Sequence, residues 1–158
     1  MLPPPLIIYK ISNYLHNKKL RRLSKIVSLS NRFFFRCWIP GSASIGKNFK
    51  IGYWGIGLII HSNTVIGDNC LIAQNVTIGR NFGDLNVPVI GDDVYVGTGS
   101  VVFGEIRIGN NVIIGANTVV NKDIPDNCTV VGNPMRIIAV DRDVKYYEID
   151  KLKGIKSE

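Results

Sequence analysis

An aliphatic residue recurs at every sixth position through the middle of the chain, and this period constrains the fold more than any other feature. Side chains alternate with a period of two along a strand, and one face of a helix repeats every 3.6 residues, so neither element alone explains it. Glycine usually follows the aliphatic residue. The repeated positions are Ile60, Ile66, Ile72, Ile78, Ile90, Val96, Val102, Ile108, Ile114 and Val120.

A repeat of six residues is typical of the parallel β-helix, an all-β solenoid whose coils stack strand on strand. Three short strands close one coil of about eighteen residues, and each aliphatic side chain points into the prism. Neighbouring strands lie about 4.8 Å apart, so the inward side chains form ladders. The spacing predicts one ladder of Ile60, Ile78, Val96 and Ile114 and another of Ile72, Ile90 and Ile108.

Two segments interrupt the repeat. Asp84 occupies a position where the period requires an aliphatic residue, and the surrounding residues 80–88 are mostly polar. We therefore predict a loop that leaves the prism there. Nine positions instead of six separate Ile51 from Ile60, which predicts a distorted corner at residues 53–57. Loops on a regular scaffold often carry function.

The net charge of +7 comes from the first part of the chain. No Asp or Glu precedes Asp68, whereas ten Lys and Arg residues do. From Asp68 onward, nine bases stand against twelve acids. We predict a basic N-terminal helical segment at residues 1–40, a β-helix at residues 41–138 and a C-terminal tail at residues 139–158.

The N-terminal segment has the pattern of an amphipathic helix that begins at the prolines of residues 3–5 and ends before Pro40. Two interpretations remain open, namely a helical cap whose apolar face packs on the β-helix and a helix that lies on an anionic membrane surface. No nucleic-acid-binding motif accompanies the charge, so we expect no nucleic-acid partner. The apolar positions are Leu20, Leu23, Ile26, Val27 and Phe34, and the bases between them are Arg21, Arg22 and Lys25.

The cysteines and the hydropathy indicate the compartment. Cys37, Cys70 and Cys128 are odd in number and widely spaced, which fits neither a disulfide framework nor a zinc site. Cys70 occupies an inward position and is predicted to lie in the core. The apolar run at residues 6–9 is far shorter than the roughly 20 residues of a membrane span. We expect a soluble cytoplasmic protein without a metal, located at the inner face of the membrane if the basic segment binds lipid.

The stretch from Ile45 to Ile138 resembles the hexapeptide-repeat acyltransferases, in the branch of serine acetyltransferase-like enzymes and polysaccharide O-acetyltransferases. Residues 131–138, VGNPMRII, are similar to the G-x-P-A-[RK] ending of that family, with Met135 in place of Ala. The other matching segments are IGDN at 66–69, QNVTIG at 74–79, VPVIGD at 87–92 and IGANTVV at 114–120.

The resemblance implies a left-handed β-helix, a homotrimer, and acetyl-CoA bound in the groove between neighbouring subunits. Members of the family transfer the acetyl group directly to a hydroxyl or an amine, with a histidine as general base. The two positions that carry active-site histidines in serine acetyltransferases correspond to Trp54 and Val87 here. The segment GLIIH at residues 57–61 is instead similar to short polysaccharide-associated members, which favours a sugar hydroxyl over serine as the acceptor.

His61 is the candidate general base, because an imidazole that is neutral near pH 7 accepts the proton of an attacking hydroxyl. The other histidine, His16, lies in the basic segment and is expected to face solvent. The column of His61 is expected to continue as Gly79, Gly97 and Gly115, so its ring must point outward, beside the distorted corner and the 80–88 loop. The competing interpretation is an ordinary surface histidine.

The remaining candidates are weaker. Asp84 is predicted to orient His61 or the acceptor, unless it is simply a loop residue that cannot enter the core. Tyr53 and Trp54 either form a wall for the acceptor or pack against the N-terminal segment. By the family match, the main chain of Gly79, Thr98 and Ala116 lines the pantetheine arm of the coenzyme, and Lys122 and Arg136 are candidates for its phosphates.

These observations lead to three hypotheses. The first is an acetyl-CoA-dependent O-acetyltransferase that acetylates a sugar hydroxyl in surface-polysaccharide biosynthesis. The second is a serine O-acetyltransferase of cysteine biosynthesis. The third is a non-catalytic β-helix that serves as a scaffold or binding module.

Overall fold

The computed structural model describes residues 2–152, and residues 153–158 of the predicted C-terminal tail lie outside the described residues. Two helices, α1 (Pro4–Asn17) and α2 (Arg21–Phe35), precede the strands, and α3 (Tyr146–Leu152) follows them. A 3-10 helix spans Gly52–Gly55. The strands are β1 (Ser44–Ile45), β2 (Lys50–Ile51), β3 (Ile59–Ile60), β4 (Val65–Ile66), β5 (Leu71–Ile72), β6 (Thr77–Gly79), β7 (Val89–Ile90), β8 (Tyr95–Val96), β9 (Val101–Phe103), β10 (Arg107–Ile108), β11 (Ile113–Ile114), β12 (Val119–Val120), β13 (Thr129–Val131) and β14 (Arg136–Ala139).

The strands form three sheets that the chain visits in turn, which confirms the predicted parallel β-helix with an N-terminal helical segment. Sheet A contains β3, β6, β9 and β12, and sheet B contains β1, β4, β7 and β10. Sheet C contains β2, β5, β8, β11 and β13 in parallel, and β14 pairs with β13 in the antiparallel direction. The chain runs from B to C to A, so we name the connections the B–C, C–A and A–B corners.

The inward side chains form three buried ladders, but their membership differs from the prediction. Val96 stacks on Ile72 and not on Ile78, because the 80–88 loop adds residues at the A–B corner without replacing a strand. Ile78 therefore pairs with Val102, 24 positions further on. The observed ladders are Ile60, Ile78, Val102 and Val120 in sheet A; Ile45, Ile66, Ile90 and Ile108 in sheet B; and Ile51, Ile72, Val96, Ile114 and Val130 in sheet C.

The second irregularity lies at the C–A corner, between β2 and β3. Tyr53 and Trp54 there adopt left-handed backbone conformations with φ of 45° and 55°. Sheet A begins before this corner, because the Trp38 N–H donates to the Leu58 carbonyl and the Ile60 N–H donates to the Trp38 carbonyl. Because the two left-handed residues lie within residues 53–57, the distorted corner is where the sequence predicts it.

The predicted N-terminal segment is two helices, joined by a turn in which Lys19 has a φ of 64°. Helix α1 packs on the β-helix, since Leu6 and Tyr9 are buried and the Tyr9 hydroxyl donates to the Ala43 carbonyl at 3.0 Å. Helix α2 packs on α1 through small polar side chains. The Ser12 hydroxyl lies 2.6 Å from the Ser28 hydroxyl.

The expectation that the apolar face of this segment packs on the β-helix is therefore wrong for α2. Its buried residues are Ser24, Ser28 and Asn31, whereas Ile26 and Phe34 are exposed. Serine side chains let the two helix backbones approach closely, and their hydroxyls are satisfied within the interface. The larger apolar side chains of α2 are left on the outer side.

The C-terminal segment crosses the B–C corner and is held there by polar contacts. Lys145 Nζ lies 2.8 Å from an Asp93 carboxylate oxygen, and the Tyr147 hydroxyl donates to Asp93 Oδ1 at 3.1 Å. The Tyr146 hydroxyl donates to the Asn69 carbonyl at 2.8 Å. These contacts attach α3 to the side of the β-helix.

The B–C corner shows why the repeat requires glycine after the aliphatic residue. Each coil places a carboxylate or amide oxygen under the backbone of the coil before it, so the Asp68 N–H donates to Asp92 Oδ1 at 2.7 Å. The Asp92 N–H donates in turn to Asn110 Oδ1 at 2.8 Å. A Cβ at Gly67 would lie 2.2 Å from Asp92 Oδ1 and 2.6 Å from the Gly91 carbonyl oxygen.

This contact predicts that Gly67→Ala lowers the free energy of unfolding by about 1–3 kcal/mol, the usual cost of overpacking a closely packed site. Gly79→Ala is the matched control, because a Cβ at Gly79 meets nothing within 4 Å. We expect the control to change stability by less than about 0.5 kcal/mol. Urea unfolding followed by circular dichroism measures both variants, and equal losses would contradict this account of the corner.

Candidate functional site

His61 lies at the A–B corner, directly after β3, and its ring is half-buried. Its backbone N–H donates to the Ile78 carbonyl at 2.9 Å, which fixes the main chain to the next coil. The Asn63 N–H donates to His61 Nδ1 at 3.2 Å. Asn63 was not among the predicted site residues, because its contact with His61 depends on the geometry of the turn after β3.

The neighbour of His61 in the next coil is Gly79, because Ile60 pairs with Ile78 in the register of β3 and β6. Adjacent strands lie about 4.8 Å apart, so open space at Gly79 adjoins the position of His61. Nothing lies within 4 Å of a Cβ built on Gly79. The glycine thus leaves room for a reacting group next to the candidate base.

Fewer of the residues that stack on His61 in later coils are glycine than the sequence predicts. Gly79 pairs with Phe103 in β9, so the expected continuation through Gly97 and Gly115 is wrong. Those two glycines stack on each other at the C–A corner, directly after sheet C, since Val96 pairs with Ile114. The cause is again the 80–88 loop, which lengthens the coil.

Asp84 lies in the 80–88 loop, at the same corner as His61. Its Oδ2 accepts the Glu105 N–H at 3.1 Å. The Asn86 side-chain amide donates to the Glu105 carboxylate at 2.8 Å, so the loop is held to the next coil at two points. The structure places the Asp84 carboxylate on this turn and records no hydrogen bond between it and His61 among the described residues.

A cavity of about 370 Å³ opens beside the same corner. Val87, which corresponds to an active-site histidine in the resemblance, is buried and lines this cavity. Asn63, the hydrogen-bond partner of His61, lines it as well. The cavity and the imidazole are therefore neighbours, and the side chain at position 87 contributes an apolar wall instead of a proton acceptor.

Tyr53 and Trp54 lie at the C–A corner, across sheet A from His61. The expectation that His61 lies beside the distorted corner is therefore wrong, because β3 crosses the face between them. Tyr53 and Trp54 are exposed, and the Trp54 ring meets Phe35 edge-on at a centroid distance of 6.1 Å. This contact is the predicted packing against the N-terminal segment, although it leaves Trp54 more than half exposed.

Thr98 and Ala116 also lie at the C–A corner, in successive coils. The Asn117 N–H donates to the Thr98 carbonyl, and the Thr98 hydroxyl donates to the Gln74 carbonyl. Within the described part of the chain, no hydrogen-bond acceptor is recorded for the backbone N–H groups of Thr98 and Ala116. Two unpaired amides in successive coils are suited to a ligand that lies along the corner.

The predicted cofactor residues are therefore divided between two corners. Gly79 and Lys122 belong to the A–B corner, and Thr98 and Ala116 belong to the C–A corner. Arg136 begins β14 at the edge of sheet C and is exposed, as is Lys122. A single subunit does not bring these groups together around His61.

The cysteines offer no second nucleophile. Burial raises the pKa of the Cys70 thiol to about 12 and that of the Cys37 thiol to about 11, so neither forms a thiolate near neutral pH. Cys70 lies in the core, as predicted. Residues 2–152 contain no group of three or more His, Cys, Asp or Glu side chains placed to hold a metal ion.

Comparison with known proteins identifies the family. Residues 88–122 match the family model described as bacterial transferase hexapeptide (six repeats). The serine acetyltransferase of Bacillus pumilus (strain SAFR-032) is 35% identical over 162 residues, an alignment that covers 95% of this chain and 74% of the relative. The chain belongs to the serine acetyltransferase family. The enzyme of Bacillus subtilis (strain 168) is 33% identical with the same coverage.

Solved structures of this family have the same fold. The serine acetyltransferase of Brucella abortus strain S19 matches with a TM-score of 0.81 at 28% identity, over 86% of this chain. Its complex with coenzyme A matches with a TM-score of 0.81 at 26% identity, over 85% of this chain. This chain spans about 55% of the length of the first of these structures and 54% of the second.

The family confirms the predicted enzyme class, an acyltransferase, and the coenzyme A complex supports acetyl-CoA as the co-substrate. The prediction of a polysaccharide O-acetyltransferase is wrong, because the relatives are named serine acetyltransferases. Histidine is absent at Trp54 and Val87, and this absence was one reason for predicting a sugar as the acceptor. Among the described residues, none of the helices is both long and apolar enough to cross a membrane.

The space beside His61 generates a prediction. Gly79→Val adds an isopropyl group in the coil next to His61, where a Cβ meets nothing within 4 Å. The fold therefore accommodates the side chain, but the side chain occupies space that the reacting group needs. We expect kcat/KM for acetyl transfer to fall at least tenfold while the thermal midpoint of unfolding stays within a few degrees. Steady-state kinetics with scanning calorimetry check this. Unchanged kinetics would show that the reaction does not use the space at Gly79.

Proposed function

We propose that this chain transfers the acetyl group of acetyl-CoA to the hydroxyl of serine, producing O-acetylserine and coenzyme A. The observation that carries the proposal is the half-buried imidazole of His61 beside the open face of Gly79, on a scaffold of the serine acetyltransferase family. The names of the relatives support serine as the acceptor.

The chemistry requires one proton acceptor. The serine oxygen attacks the thioester carbonyl carbon and loses its proton to His61, and the carbon–sulfur bond then breaks as the imidazolium returns the proton to the thiolate of coenzyme A. Because Nδ1 of His61 accepts the Asn63 N–H, the neutral ring carries its own hydrogen on Nε2. Nδ1 is therefore the nitrogen that accepts a proton, and the substrate hydroxyl must replace the Asn63 N–H there.

The coenzyme is proposed to lie along the C–A corner. The N–H groups of Thr98 and Ala116 point to a ligand with carbonyl oxygens, and the amide groups of a pantetheine arm provide them. Lys122 and Arg136 carry positive charges suited to its phosphates. Asp84 is proposed to orient the acceptor, because its carboxylate lies at the corner of His61 but bonds to the Glu105 N–H. Tyr53 and Trp54 are proposed to line the acceptor site.

Assembly of several copies of the chain is proposed to bring the A–B corner of one copy next to the C–A corner of another. In the homotrimer that the family resemblance implies, the A–B corner of one subunit faces the C–A corner of its neighbour, so His61 of one copy meets the coenzyme held by Thr98 and Ala116 of the next. This arrangement explains how residues on opposite sides of sheet A can serve one reaction. It also makes the reaction depend on the assembly.

The proposal predicts that His61→Ala lowers kcat with serine by about 10²–10⁴-fold, the usual contribution of a positioned general base. His16→Ala is the control, since His16 is the other histidine and lies in α1. Release of free coenzyme A from acetyl-CoA, with and without serine, measures the reaction. Serine-independent release by the wild type, or full activity of His61→Ala, would contradict the proposal.

A mixing experiment tests the shared site. His61→Ala and Ala116→Trp are each expected to be inactive, the first through the base and the second through the coenzyme groove. Unfolding and reassembling the two in equal amounts should restore about a quarter of the wild-type sites, since an interface needs an intact His61 on one side and an intact Ala116 on the other. No recovery, with trimers verified by light scattering, would place both residues in a site within one subunit.

A further inference from the structure

Helix α2 has three different sides. Ser24, Ser28 and Asn31 are buried against α1. Arg21, Lys25 and Arg32 recur at spacings of four and seven and form a basic side that is exposed. Opposite the buried side lie the large apolar residues Leu23, Ile26, Leu29, Phe33 and Phe34, which we call the outer apolar face.

The outer apolar face is exposed to an extent that is unusual for such side chains. Ile26 is 62% exposed, Phe33 81% and Phe34 69%. A helix of a globular protein normally turns its apolar side chains to the core and its small polar ones to solvent. In α2 this order is reversed, and the polar side is satisfied by hydrogen bonds to α1. The apolar side is therefore built to meet something outside this subunit.

Aromatic residues extend the face beyond the end of α2. Phe34 lines a cavity of about 660 Å³ together with Arg36, Tyr53, Trp54 and Ile56. Phe33 meets Phe34 edge-on at a centroid distance of 5.1 Å. Tryptophan and tyrosine favour the boundary between an apolar phase and water, because each combines an apolar ring with a polar tip. The surface thus combines an apolar centre, amphipathic aromatics and flanking bases.

The charge around the face has one sign. No Asp or Glu occurs before Asp68, so every charged side chain of α1, α2 and the turn between them is a base. The bases of α2 lie beside the apolar face and not opposite it. This combination complements a surface that is apolar inside and negatively charged outside.

We propose that the outer apolar face of α2 binds an anionic lipid surface, with the helix lying in the plane of the headgroups. Ile26, Phe33 and their neighbours enter the acyl boundary, and Arg21, Lys25 and Arg32 contact lipid phosphates. The helix has 15 residues and lies on the bilayer without crossing it. The binding is peripheral and reversible. The residues of α2 that it uses take no part in the proposed acetyl transfer, and only Tyr53 and Trp54, at the border of the face, are shared with the proposed acceptor site.

A second copy of the chain that packs through the same face is a less suitable occupant. Two such faces packed together would bring their basic sides next to each other, and the first 67 residues offer no acid to neutralise them. Like charges at close range oppose association, whereas anionic lipid removes the repulsion. A dimer through α2 is therefore the alternative outcome of the test.

The test is co-sedimentation of the full chain with vesicles of phosphatidylcholine, with and without 30% phosphatidylglycerol. We expect binding to the anionic vesicles at 50 mM salt, at least fivefold weaker binding at 500 mM salt, and little binding to phosphatidylcholine alone. Wild-type protein that stays in the supernatant with anionic vesicles at 50 mM salt would overturn the proposal.

Two pairs of variants locate the contact. Lys25→Gln with Arg32→Gln should weaken binding about 25-fold, because each base near an anionic surface contributes about a factor of five. Ile26→Ser with Phe33→Ser should weaken it at least tenfold. The matched controls are Lys47→Gln with Lys50→Gln and Ile138→Ser with Val140→Ser, which change exposed bases and exposed apolar residues outside the helices.

Circular dichroism and coenzyme A release show that each variant remains folded. Full binding by the Ile26→Ser, Phe33→Ser protein, or equal losses in the controls, would overturn the proposal. Sedimentation velocity without lipid distinguishes the alternative. If the apolar variant lowers the mass of the assembly and the wild type ignores anionic vesicles, the face joins two copies of the chain.

Discussion

Close stacking at the B–C corner is the constraint on which the rest of the structure depends. Backbone N–H groups of one coil donate to carboxylate or amide oxygens of the next, and this requires glycine at the preceding position because the coils lie too near for a Cβ. The same spacing brings the aliphatic side chains into buried ladders. Once this corner is repeated, the two other corners are free to vary, and the candidate functional residues lie at those.

The two corners differ in what they provide. The A–B corner carries an imidazole, an open glycine face and a loop anchored to the Glu105 turn, whereas the C–A corner carries unpaired backbone amides and exposed aromatic rings. Their separation by sheet A follows from the prism shape, in which neighbouring corners cannot meet within one subunit. A reaction that uses both corners must therefore be completed by assembly, and this makes oligomerisation part of the proposed mechanism.

The six-residue period was sufficient to predict the fold, the inward residues and both irregular segments, since each depends on local spacing. The register beyond Ile78 was not predictable, because sequence alone did not show whether the 80–88 loop replaces a strand or extends a corner. His61 stood out as an imidazole at the end of an aliphatic segment, but its partner Asn63 depends on a turn geometry that no spacing reveals.

The packing of α2 was predicted wrongly because Ser24 and Ser28, and not Leu23 and Ile26, form its buried side. The acceptor was predicted wrongly because the two missing histidines were given more weight than the overall similarity to serine acetyltransferases.

The most direct test of the central claim is a crystal structure of the protein in complex with coenzyme A. We expect a pantetheine arm along Thr98 and Ala116 of one subunit, with its thiol next to His61 of the neighbouring subunit and near the open face of Gly79. Coenzyme A bound along the A–B corner of a single subunit, with its thiol remote from every His61, would contradict both the role of His61 and the shared site.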